Sequence, residues 1–159
     1  MPSNIPDPAI AIPNLLYRCA ELFDAGEFEQ AARLFDHGGV VVDGKLIKGA
    51  ANICAMWDSF VIRYEDGTPK TRHLITNPII ELSDGGQTAE CRSQWTVLQA
   101  LDGLPLQIIC SGRYDDELLL VDGGWAFARR KYSKVDFWGD VSRHLKSAPA
   151  ISNPLNEVQ

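Results

Sequence analysis

The chain has 159 residues, of which 45% are hydrophobic and 23% are charged, which is enough to build one core of ordinary size. We expect a single domain over residues 1–145, followed by a tail, 146–159, that is flexible or contacts a neighbouring subunit. The 21 acidic residues outnumber the 15 Lys and Arg residues, and the resulting net charge of −6 argues against nucleic acid as a partner.

Membrane and metal association are not predicted. The sequence has no apolar run of about 18 residues, the length that a membrane-spanning helix needs, and it begins without the basic and apolar segments of a signal peptide. We therefore expect a cytoplasmic protein. The four cysteines and three histidines are scattered, without the spacing of a zinc site, so no metal ion is predicted.

Two helices are predicted at the start of the chain. Apolar residues over 12–23 recur at steps of three and four, and Pro13 suits the first turn of this helix. Gly26 ends it. A second, shorter helix is predicted over residues 27–36, with its apolar residues on one side.

The period of the apolar pattern then changes to two. The stretch GVVVDGKLIKG predicts a hairpin, because Asp43 and Gly44 tolerate the positive φ angles of a type I′ turn. A third helix follows, with an apolar stripe over residues 50–61.

Four long strands are predicted in the rest of the domain, over residues 71–83, 88–101, 105–121 and 125–137. Short Gly-bearing turns separate them, so consecutive strands must pair antiparallel in a meander. Strands of this length twist and bulge, which curves the sheet. The fold class is therefore α+β: a cone-shaped, strongly curved antiparallel sheet, made of the meander and the N-terminal hairpin, covered by three helices around a hollow end.

Two arginines are predicted to share strand faces with uncharged residues. Alternation along the last strand places Arg129 on the face of Phe127, and Arg113 occupies a similar position one strand earlier. A half-buried guanidinium needs a carboxylate or a bound anion, because leaving it unpaired costs several kcal/mol. Arg113 is a candidate for substrate binding. A purely structural role is the alternative for both arginines, and for Arg113 this would be an internal pair with Asp115 or Asp24.

One histidine and one carboxylate stand out by position. His73 shares a strand face with Ile75 and Asn77. Tyr17 and Asp24 are seven residues apart, about two helical turns, so their side chains point the same way. Asp24 lies in the last helical turn, where the helix dipole does not stabilise a negative charge, and this favours a role outside the helix.

This order of elements resembles the SnoaL-like branch of the NTF2-like superfamily, the cystatin-like α+β barrels that include scytalone dehydratase and dehydrochlorinases. The likeness runs from about residue 12 to residue 144. Four stretches carry it: LFDAGEFEQAARLF, TRHLITNPIIEL, GRYDDELLL and GGWAFARR. The resemblance implies the cone-shaped fold and eliminations or isomerisations of small molecules without a cofactor.

The resemblance also implies roles for particular residues. In dehydratases and dehydrochlorinases of this superfamily, an acid at the end of the first helix orients a histidine on the first long strand, and an arginine on the last strand polarises the substrate. The matching positions are Asp24, His73 and Arg129, so His73 would be the general base. We expect the following residues to bind a small hydrophobic, cyclic or aromatic substrate: Tyr17, Trp57, Phe60, Ile75, Asn77, Trp95 and Arg113.

Two other functions are compatible with the same sequence. One is a noncatalytic ligand-binding or dimerisation module, and the other is the small subunit of a ring-hydroxylating dioxygenase, which has this fold. The outer sheet face carries apolar residues, including Leu98, Leu106 and Ile108, that one layer of helices does not cover. We therefore expect a homo-oligomer, a dimer first and a trimer next.

Overall fold

The computed structural model describes residues 6–147 and contains three helices and one six-stranded sheet. The elements in chain order are α1 (Pro8–Asp24), α2 (Phe28–Arg33), β1 (Gly39–Val42), β2 (Lys45–Lys48), α3 (Ala50–Phe60), β3 (Thr71–Leu82), β4 (Thr88–Leu101), β5 (Leu104–Val121) and β6 (Gly124–Trp138). The sheet order β2-β1-β6-β5-β4-β3 contains the predicted meander and hairpin, so the α+β fold is confirmed. The predicted tail lies outside the described residues from position 148 onward.

The sheet is mixed and open. Strand β1 pairs parallel with β6, whereas the other neighbouring strands pair antiparallel. The parallel pair attaches the hairpin to the meander, and the sequence pattern did not predict this parallel pairing. The hairpin turn has φ of 49° at Asp43 and 74° at Gly44, as expected for the predicted turn type.

Helix α1 begins earlier than predicted. Asp7 caps it by accepting a hydrogen bond of 2.9 Å from the backbone N–H of Ala9, and Pro8 occupies the first helical position. Pro13 therefore lies inside the helix, and its assignment to the first turn is wrong. Because proline has no N–H, the helix lacks one backbone hydrogen bond there.

The core lies between the helices and the inner face of the sheet. Phe35 from the segment after α2 stacks on Phe127 of β6 with ring centroids 4.6 Å apart, and Trp57 of α3 packs edge-on to Phe28 and Phe35. A second buried cluster around Trp95 lies on β4 and β5. A cavity lies between these two clusters.

The segment after β6 folds back over the end of α3. The backbone N–H of Ile62 donates to the carbonyl of His144 at 2.8 Å, and the N–H of Lys146 donates to the carbonyl of Phe60 at 2.9 Å. This return closes one side of the space under the sheet. Among residues 6–147, no helix has the length and hydrophobicity required to cross a membrane.

Candidate functional site

A cavity of about 190 Å³ lies between the helices and the inner face of the sheet. Its wall is mostly hydrophobic and includes four of the residues predicted to bind a substrate: Trp57, Phe60, Ile75 and Trp95. An apolar cavity of about 150 Å³ holds a benzene molecule. The space under this sheet therefore suits a ligand built on about one ring.

His73 lines this cavity and contacts Asp24, which lines the neighbouring surface groove. His73 Nδ1 lies 2.6 Å from Asp24 Oδ1, and both side chains are largely buried. Asp24 also accepts hydrogen bonds from the backbone N–H of His73 at 2.6 Å and from the hydroxyl of Thr71 at 2.8 Å. These contacts tie the end of α1 to the start of β3.

The carboxylate determines which nitrogen of the imidazole carries the proton. A proton on Nδ1 is donated to Asp24, and this leaves the lone pair on Nε2 without that partner. The ring of Phe23 packs edge-on against the imidazole with centroids 5.3 Å apart, which restricts its rotation. The carboxylate and the phenyl ring therefore orient the imidazole at an apolar site.

The positively charged residue at the cavity is Arg130, and the assignment of Arg129 to the cavity is wrong. Glu117 pairs with Arg129 in the β5–β6 ladder and Leu118 pairs with Phe127, so Ala128 is an extra residue in β6. This bulge reverses the alternation. Arg129 turns to the outer face, where it forms an exposed ion pair with Glu117.

Arg130 is held by a buried carboxylate. Its Nε and Nη2 each donate to Asp116 at 2.8 Å, and Nη1 lies 3.6 Å from the sulfur of Cys19. The guanidinium also covers the ring of Tyr114 at 3.9 Å from the centroid. Burial raises the pKa of Asp116, and the adjacent positive charge of Arg130 opposes this effect.

Three other predicted substrate-binding residues lie outside the cavity. Asn77 has a φ of 52° at a register shift in β3, and it donates to Gln94 on the outer face at 3.0 Å. Arg113 donates to Asp136 at 2.9 and 3.1 Å, so its internal partner is neither Asp115 nor Asp24. Tyr17 is exposed and lines a surface groove that His73 and Asp24 also line. For Asn77, the bulge in β3 explains why the predicted strand face was wrong.

Comparison with known proteins places these features in a family. The profile of the SnoaL-like domain matches residues 10–131. This chain belongs to the SnoaL-like domain family. None of the curated proteins matches it significantly in sequence.

Solved structures share the fold of this SnoaL-like chain. A protein of unknown function from Mycobacterium tuberculosis is 26% identical with a TM-score of 0.64, over 80% of this chain and 71% of that one. A protein provisionally named a scytalone dehydratase, from Novosphingobium aromaticivorans, is 20% identical with a TM-score of 0.58, over 87% and 93%. The beta subunit of a provisionally assigned aromatic-ring-hydroxylating dioxygenase from the same organism is 20% identical with a TM-score of 0.59, over 80% and 88%.

Besides Arg130, the polar residues Tyr132 and His144 line this SnoaL-like cavity and were not predicted from the sequence. Tyr132 is 36% exposed as a whole, but its hydroxyl accepts a hydrogen bond of 3.3 Å from Trp57 Nε1, and desolvation of this hydroxyl raises its pKa to about 12, so it keeps its proton at neutral pH. His144 is buried at the wall, and this burial lowers its pKa to about 4. Residues 6–147 contain no group of three or more His, Cys, Asp or Glu side chains arranged to hold a metal ion.

The position of Tyr132 could have been predicted from the sequence, whereas that of His144 could not. Tyr132 follows Arg130 by two positions on β6, so a correct assignment of the Arg130 face would have included it. No local pattern indicates His144, because its position depends on the return of the chain over α3.

Proposed function

We propose that this SnoaL-like protein is a cofactor-independent lyase or isomerase, of the dehydratase type, that acts on a small cyclic or aromatic substrate. The observation that carries the proposal is the contact of 2.6 Å between His73 Nδ1 and Asp24 Oδ1 at the wall of an apolar cavity. An imidazole that a carboxylate orients beside an apolar, ring-sized space is suited to removing a proton from carbon.

In the proposed reaction, Nε2 of His73 removes a proton from a carbon next to a carbonyl group or a leaving group. Asp24 stabilises the imidazolium that forms, because it accepts the proton of Nδ1 in a hydrogen bond. The same imidazolium then returns its proton, either to a departing hydroxyl, which leaves as water, or to another carbon of the substrate. A positioned base of this kind contributes about 10²- to 10⁴-fold to the rate.

The charge that develops on the substrate oxygen needs a donor, and Arg129 cannot supply it from the outer face. Tyr132 is the better candidate, because its hydroxyl accepts from Trp57 and keeps its own proton available for donation. Arg130 adds a positive charge at the same wall, although Asp116 binds two of its three nitrogens. We therefore propose Tyr132 and Arg130 in the role that was predicted for Arg129.

A noncatalytic ligand-binding protein is the second candidate, and one observation favours it. Asp24 also accepts hydrogen bonds from Thr71 and from the backbone of His73, which a structural role in joining α1 to β3 would explain. The two candidates differ in whether the protein changes its ligand or only holds it.

The test uses cyclohexanone in D₂O, because removal of a proton beside its carbonyl is visible by NMR as deuterium incorporation. We expect the wild type to accelerate this exchange, and we expect His73→Asn to reduce the acceleration by about 100-fold or more while the protein stays folded. Thr71→Val is the matched control, since it removes one hydrogen bond to Asp24 and leaves the His73 contact intact.

Full exchange activity in His73→Asn would rule out His73 as the base. A wild type that binds cyclohexanone without exchange would favour the noncatalytic candidate.

A further inference from the structure

Two residues that line the cavity each carry a buried polar atom that has no partner among residues 6–147. Within that range, five buried side-chain polar atoms lack a hydrogen bond: Ser93 Oγ, Trp95 Nε1, Gln99 Oε1, Trp125 Nε1 and His144 Nδ1. Of the residues that carry them, Trp95 and His144 line the cavity. The cavity-lining residues that carry an unsatisfied atom are therefore Trp95 and His144.

These side chains are enclosed rather than solvated. Trp95 is 7% exposed and His144 is 6% exposed. Leaving a buried polar atom unpaired costs about 1–3 kcal/mol, so native structures normally give such atoms a partner. Other polar side chains at or beside this wall do have a hydrogen-bond partner, namely those of Asp24, Arg130 and Tyr132.

The fold holds the backbone of His144 and the ring of Trp95 in place. The backbone carbonyl of His144 accepts from Ile62, and its N–H donates to the carbonyl of Val141 at 2.9 Å. The ring of Trp95 packs against Tyr114 with centroids 5.8 Å apart. A ligand would therefore meet groups that are already positioned.

The two groups are also uncharged at neutral pH. The indole N–H of Trp95 is a donor without charge. His144 is neutral because burial lowers its pKa to about 4. The positive charge of Arg130, at the same wall, is already paired with Asp116. A carboxylate or ammonium group placed here would be buried without a counter-charge, whereas a hydroxyl or carbonyl oxygen needs none.

We propose that Trp95 and His144 form an uncharged polar subsite in the cavity, which binds a hydroxyl or carbonyl oxygen of the ligand. This subsite would restrict the substrate to uncharged rings that carry such an oxygen. Its relevance to turnover rests on the proposed function. His144 is a binding and positioning residue here, since proton removal belongs to His73.

The experiment compares phenol with toluene, which have nearly the same shape but differ in the hydroxyl group. Binding is followed at neutral pH by the fluorescence of the tryptophans that line the cavity. We expect His144→Leu and Trp95→Phe each to raise the ratio of the phenol Kd to the toluene Kd by about threefold to tenfold, the equivalent of one lost hydrogen bond. His144→Gln keeps a donor and an acceptor, and we expect it to retain the wild-type ratio more closely than His144→Leu does.

A measurement on the wild type needs no substitution. With ¹⁵N-labelled histidine, phenol should shift the ring nitrogens of His144 and toluene should not. His73→Asn separates this proposal from the proposed function: we expect it to reduce the acceleration of proton exchange by about 100-fold or more, while phenol still shifts the ring nitrogens of His144.

An unchanged ratio in both His144→Leu and Trp95→Phe would overturn the subsite, as would a wild type that binds neither compound. Loss of exchange activity with an intact preference for phenol would support the subsite, whereas exchange without that preference would remove it and leave the proposed function standing.

Discussion

Arg129 and Arg130 are consecutive residues of β6 in opposite environments. The side chain of Arg129 is 49% exposed beside Glu117, whereas that of Arg130 is 4% exposed and donates two hydrogen bonds to the fully buried carboxylate of Asp116. An exposed ion pair contributes little, because water and salt screen it. A buried pair costs much more when one partner is removed, since the other charge is left without compensation.

The adjacent arginines give a matched pair of substitutions. We expect Arg130→Met to lower the free energy of unfolding by about 3–5 kcal/mol and Arg129→Met to change it by less than about 1 kcal/mol. Urea denaturation followed by circular dichroism measures both. Equal effects of the two substitutions would contradict the assignment of Arg130 to the inner face.

At the scale of the elements, bulges determine which side chains face the cavity. Register shifts occur in each ladder of the meander, and the shift beside Gly112 brings β5 very close to β6. A Cβ atom at Gly112 would lie 2.3 Å from the carbonyl oxygen of Lys134 and 2.5 Å from the ring of Trp95. The missing side chain therefore makes room for the tryptophan that lines the cavity.

Gly112→Ala tests this close approach. We expect it to destabilise the protein by about 1–3 kcal/mol, because either the strands or the ring of Trp95 must move. Gly85→Ala is the control, since an added Cβ at Gly85 has no neighbour within 4 Å. The two variants are compared by thermal or urea denaturation, and equal stability would show that β5 and Trp95 adapt without cost.

At the scale of the whole molecule, the outer face of the sheet remains to be covered. Leu106, Ile108 and Phe137 are exposed on this face, and Leu98 lies beside Ile108 in the β4–β5 ladder. The helices cover the inner face only. Exposed apolar groups in such number on one sheet are typical of a surface that binds a second copy of the chain.

We expect the protein to be a dimer through this face, and we expect Ile108→Lys to convert it to a monomer by placing charge in the interface. Ile10→Lys is the control, because Ile10 is 62% exposed and Ile108 is 60% exposed, but Ile10 lies on α1. Analytical ultracentrifugation distinguishes the states. A monomeric wild type, or dissociation by both substitutions, would contradict the prediction.

The helices, the strands and their turns could be predicted from the sequence alone, because hydrophobic period, caps and glycine turns are local properties. The ranges of all four long strands agree with the prediction to within one residue at each end. The sequence also indicated Asp24 and His73, since both lie in regular parts of their elements, before the bulge of β3.

Tertiary contacts, in contrast, determine which residues join that pair at the cavity. A bulge depends on how a strand matches its neighbour, so the alternation of one strand cannot reveal that Arg130 and not Arg129 faces inward. The position of His144 depends on the chain returning over α3, where its carbonyl meets the distant Ile62. Local periodicity carries no information about such contacts, and for this reason the polar part of the cavity could be found only in the folded molecule.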